Sequence, residues 1–95
     1  MYKIFNMDFE TETEFRQQMD LHQHMIHNNT LYGIDKAFNT DNDTAIVALL
    51  NGDSVMGIPK EEWMDNLNYT EEYFASTEEY EKCAEVVQLK GRIIN

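Results

Sequence analysis

The chain has 95 residues, enough for one hydrophobic core and too few for two. An apolar share of 42%, including five Phe, five Tyr and one Trp, lies above the range of disordered chains, so a single folded domain over residues 1–95 is expected. Eighteen Asp and Glu against seven Lys and Arg give −11 at neutral pH, a balance that repels nucleic acid and anionic lipid, because phosphate binding rests on Lys and Arg.

Residues 2 to 9 alternate, with Phe5, Met7 and Phe9 on one side and Asn6 and Asp8 on the other, as in a half-buried strand. Thr11 and Glu14 then form a capping box, which predicts a helix start. In that helix Phe15, Met19, Met25 and Ile26 share a face, with Leu21 at its margin and Gln18 and His22 projecting toward it. After Asn28-Asn29-Thr30 the apolar positions Leu31, Ile34, Ala37 and Phe38 change phase. Either the helix breaks there or its later part packs against something different.

The polar run "NTDNDT" at 39–44 reads as a loop, and "TAIVALL" at 44–50 as a central strand buried on both faces. Asn51-Gly52 is a strong hairpin signal, with "SVMGI" at 54–58 returning alongside. Pro59 suits the first position of a helix carrying Trp63, Met64 and Leu67, which Asn68 to Thr70 would interrupt. A last helix from about Thr77 aligns Tyr80, Cys83, Ala84, Val87 and Ile94 as its inward stripe. The order β-α-β-β-α-α predicts a two-layer α+β domain, a three-stranded sheet packed against two to four helices.

Residues 70–82 read "TEEYFASTEEYEK", in which Thr-Glu-Glu-Tyr recurs after seven residues. Each Thr suits an N-cap and each Glu pair the positive end of a helix. A single continuous helix would place Phe74 among the acids, so a break near Ser76 is expected.

Little in the sequence carries chemistry. One cysteine, Cys83, allows no internal disulfide and no CxxC metal motif, and its place on an apolar stripe suits inert packing. His24 and His27 share a polar helical face with Asp20, but no fourth ligand is framed; an exposed ion pair is the plainer role. Asp41 and Asp43 lack the glycine and the terminal glutamate of a calcium loop. No nucleophile elbow or Gly-rich phosphate loop occurs, so no enzyme activity and no cofactor are expected. The opening residues are too polar for a signal peptide, and no run approaches the ~18 apolar residues of a membrane span, so a cytoplasmic location is expected.

The acids are concentrated in one segment. From Glu61 to Glu85 nine carboxylates face one base, Lys82. A small acidic protein-binding module is expected, docking on the basic surface of a nuclease or nucleic-acid-binding protein without itself binding nucleic acid. The surface would include Glu61, Glu62, Asp65, Glu71, Glu72, Phe74, Glu78, Glu81 and Glu85. Exposed members among Trp63, Tyr69, Tyr73 and Phe74 would supply anchors.

In size and charge the chain resembles the small acidic inhibitors of nucleases and DNA-binding proteins, many of them encoded by phages. That likeness is one of class, carried by no shared motif, and implies a nucleic-acid mimic. Mimicry requires the helices after Pro59 and the acids at 8–14 to converge on one face. A structural or self-assembling homo-oligomer, with Phe74 marking the contact, is the alternative; a small-ligand binder is third.

Overall fold

The computed structural model describes residues 2–94. Strand β1 (Phe5–Met7) is short because Asp8 ends its pairing, and Phe9 turns aside to pack on Phe15 with ring centroids 4.8 Å apart. Helix α1 (Glu12–Leu21) starts at the expected box: the Thr11 hydroxyl accepts from the Glu14 amide, and the Glu14 carboxylate accepts from the Glu10 amide. Helix α2 (Gln23–Asn39) returns the chain to strand β2 (Thr44–Leu50), which pairs in parallel with β1 and antiparallel with β3 (Ser54–Pro59). A 3₁₀ turn at Lys60–Glu62 leads into α3 (Trp63–Ser76), and α4 (Tyr80–Ile94) closes the fold. The protein is thus α+β, a three-stranded mixed sheet in the order β1-β2-β3 with four helices.

Several expectations are corrected. The first helix breaks at His22, not at Asn28–Thr30, through which α2 runs unbroken past Gly33. The His22 backbone leaves the helical region, while its ring Nδ1 and its amide both lie within hydrogen-bond reach of the Gln18 carbonyl and its ring stacks on Phe5. The phase change after Thr30 is therefore a change of neighbours: Leu31, Ile34 and Ala37 meet the core, whereas Met25 is exposed and α1 buries no residue. Strand β2 is buried on one face only. A bulge between Ile46 and Ala48 shifts the alternation, leaving Thr44 and Ile46 exposed while Val47 and Ala48 both point inward.

Two details explain how α2 lies so close to β2. Beyond the three-residue β1, the Ile46 and Val47 carbonyls accept from the Tyr2 hydroxyl and the buried Asn29 amide, which also donates to the Lys3 carbonyl. Gly33 fits because a Cβ there would come within 2.9 Å of the Ile46 oxygen. At the hairpin tip Asn51 and Gly52 both take positive φ, as a type I′ turn requires.

Helix α3 is not interrupted at Asn68–Thr70, because Thr70 is buried and lies 2.9 Å from His27 Nδ1. Nor does Thr77 start the last helix; it caps the end of α3. Glu78 takes φ 62° beyond it, the Glu78 amide donates to Ala75 and the Glu79 amide to Phe74, which is a Schellman closure with glutamate where glycine is usual. The repeated Thr-Glu-Glu-Tyr thus occupies two unlike environments. Its first copy lies within α3 and its second forms the corner, with the break falling near Ser76 as expected.

Candidate docking surface

Helix α3 sorts its residues cleanly. Trp63, Leu67, Thr70 and Phe74 recur at three- and four-residue steps and are all buried, with the indole of Trp63 donating to the Ile58 carbonyl. The opposite side therefore carries Asp65, Asn68, Tyr69 and Glu72, which together line a shallow depression. Glu61 and Glu62 precede them, also exposed. These carboxylates extend over ~17 Å of axis at 1.5 Å per residue, with Tyr69 standing out among them.

The remaining expected site residues separate. Phe74 is fully buried, which corrects its placement on the surface: α3 runs through Thr70 and carries Phe74 in phase with Trp63 and Leu67, and the break after Ser76 frees it from the phase of α4. Glu71 is half-buried between the helices, 2.8 Å from Lys90. Glu78 and Glu81 are exposed at the α3–α4 corner. Glu85 is exposed too, but on the flank toward α2, where it accepts from the Tyr32 hydroxyl at 3.3 Å. Of the anchors, Trp63 is core, Tyr73 is half-buried against His27, and Tyr69 alone is exposed.

Helix α4 holds the main surprise. Its buried face is Val86 and Leu89, with Cys83 and Ile93 half-buried, and not the Tyr80–Val87 stripe. Tyr80 is 64% exposed, Val87 52% and Ile94 71%, and Ala84 and Gly91 lie open between them. The expected opposition of inward Tyr80 and Val87 to outward Glu78, Glu81 and Glu85 is overturned. The helix has two apolar stripes, and the fold uses the other one. The signal for the second was present in the spacing of Val86, Leu89 and Ile93.

The bases of α4 are engaged within the fold, whereas Lys60 stands exposed beside Glu61. Lys82 donates to Asn28 and lies 5.4 Å from the Phe74 ring centroid, Lys90 holds Glu71, and Arg92 holds Asp35. Among the described residues no cation lies within ion-pair distance of Glu61, Glu62, Asp65, Glu72, Glu78 or Glu81.

The histidines serve the helix junction. His24 meets Glu79 at 2.9 Å, and His27 stacks on Tyr73 with centroids 4.2 Å apart. Burial lowers the His27 pKa, with nearby His24 adding to the effect. Hydrogen bonds from His24 and from the Thr77 hydroxyl hold the Glu79 carboxyl below its usual range. Asp20 does not join these histidines; it borders an open cleft between α1, α2 and α3 that also includes Met19, His27 and Tyr69. Among the described residues no three His, Cys, Asp or Glu side chains gather as a metal site, and no helix is long and apolar enough to cross a membrane. Neither protein-family models, nor curated proteins, nor solved structures give a match to this chain.

Proposed function

We propose that the protein is a small, non-catalytic, protein-binding module of the cytosol that docks on a basic protein surface through its α3–α4 layer. The observation that carries this reading is the set of six exposed carboxylates without an ion-pair partner among the described residues, on a layer where the bases of α4 are already engaged. Such a field speeds encounter with a cationic partner and sets specificity, while exposed Tyr69 offers a partly apolar contact at the centre of the α3 face.

The narrower form, a nucleic-acid mimic, demands a higher charge density. A duplex carries about ten charges over the ~17 Å between Glu61 and Glu72, where the 3₁₀ turn and α3 together present four exposed carboxylates. Charge density therefore favours the broader form, a basic protein partner engaged by local complementarity.

The test is an affinity pull-down from native lysate at about 50 and 500 mM salt, comparing the parent with Asp65→Asn/Glu72→Gln/Glu81→Gln. Capture of basic proteins that weakens with salt and with neutralisation is expected, with the variant folding normally. Equal capture by both proteins at both salts would rule electrostatic docking out.

A further inference from the structure

We propose that the outward stripe of α4 — Tyr80, Ala84, Val87, Gly91 and Ile94 — is a seam for one helix of the partner, a cationic amphipathic helix. The inference rests on the acidic docking reading and adds the shape and chemistry of the bound element.

The spacing is the first reason. Steps of four, three, four and three residues repeat as in the a and d positions of a heptad, which keeps a seam facing a neighbouring helix crossed at about 20°. Large side chains at 80, 87 and 94 alternate with small ones at 84 and 91, so each small residue leaves a hole for an incoming knob.

Gly91 is the second reason. Glycine inside a helix costs about 1 kcal/mol relative to alanine. Nothing in this fold requires it, since a Cβ at Gly91 would meet nothing within 4 Å, in contrast to the crowded Gly33. Close approach of another helix would make use of its small size.

Charge chooses the occupant. Glu81 lies in the first turn of α4, beside the stripe. Across the groove, Glu71 is tied to Lys90 and its carbonyl accepts from the Cys83 thiol, which fixes the α3–α4 seam. Glu72 follows, turned ~100° outward and exposed, with Asp65 two turns earlier on the same face. Lys90 and Arg92 also border the stripe but are already paired, with Glu71 and Asp35. Among the described residues the unpaired charges beside it are therefore Glu81 and Glu72, and two copies joined along α4 would bring these acids together. The stripe is also small for such a pair: ~21 Å by ~10 Å is roughly 200 Å², well short of about 800 Å² per partner. A helix with an apolar seam and Lys or Arg at its flanking positions meets both the stripe and the acids.

The probe is a synthetic helical peptide of about three heptads, with Leu at the seam positions and Lys at the flanks. A scrambled peptide of the same composition keeps the charge and loses the seam. Amide-resolved NMR titration at about 50 mM salt is expected to show the heptad peptide binding at least about tenfold tighter than the scrambled one. Shifts should centre on Ala84, Val87 and Gly91. Gly91→Leu and Val87→Asp are each expected to weaken it about tenfold or more, while the melting profile confirms folding.

Equal binding of both peptides would overturn the seam and leave acidic docking standing. Binding of neither would also refute the seam, with the salt-graded pull-down still deciding acidic docking. A dimer seen by sedimentation at tens of micromolar and dissolved by Val87→Asp would assign the stripe to a second copy and overturn the proposal.

Discussion

Helices α3 and α4 are neighbours of similar length, yet their sequences constrain them differently. Helix α3 has one apolar stripe, so its phase has a single solution: Trp63, Leu67, Thr70 and Phe74 go in, and Asp65, Tyr69 and Glu72 go out. Helix α4 has two. Val86, Leu89 and Ile93 form one, and Tyr80, Val87 and Ile94 the other, with similar apolar character. The turn before it decides between them, because Glu78 in the left-handed region and the Glu79–Phe74 hydrogen bond set the angle at which α4 begins. The stripe that loses is left facing water, and it is the position proposed for a partner helix.

Two adjacent residues of α4 separate the stripes most clearly. Val86→Asp places an unpaired carboxylate in the core and is expected to cost more than about 4 kcal/mol, abolishing the cooperative melt. Val87→Asp should stay within about 0.5 kcal/mol of the parent. The reverse order would mean that α4 lies in the other phase. A similar contrast applies within α3, read by urea unfolding. Phe74→Ala is expected to cost about 3–5 kcal/mol, and Tyr69→Ala about 0.5 kcal/mol or less.

Substituting glycine gives effects of opposite sign in α2 and α4. Gly33→Ala forces a Cβ against the Ile46 carbonyl and is expected to destabilise by about 1–3 kcal/mol. Gly91→Ala meets open space and should stabilise by about 1 kcal/mol, raising the melting temperature. The smallest effect is on pH. The His27 pKa is lowered in the folded state, so the unfolded chain takes up its proton first as pH falls. Stability from this group is complete above its ordinary 6.5 and declines as pH drops below that value. His27→Gln should flatten that slope in urea midpoints measured across the range.

Most of the element order was legible in the sequence because it rests on local signals: the Thr11–Glu14 box, the Asn51-Gly52 turn and the stripe of α3. What was not legible depended on distant partners. The kink at His22 needs Phe5, and the continuity of α2 through Asn29 needs the Lys3 and Val47 carbonyls. Phe74 was misplaced because the expected stop of α3 at Asn68–Thr70 does not occur. The helix instead continues through buried Thr70, which meets distant His27, and carries Phe74 in phase with Trp63 and Leu67. Among the expected surface acids, Asp65 and Glu72 are exposed on the outer side of α3. Glu71 and Glu85 were not distinguished from them, since Lys90 and Tyr32 reach them only in the folded chain.

The Tyr80–Val87–Ile94 stripe is expected to face solvent until a cationic helix covers it. A soluble paramagnetic probe added to methyl-labelled protein reads this at two neighbouring side chains. Strong broadening of the Val87 methyls, with Val86 spared, is expected for the free protein, and protection of Val87 once the heptad peptide saturates it. Val87 shielded in the free protein, or still fully broadened in the complex, would contradict the claim.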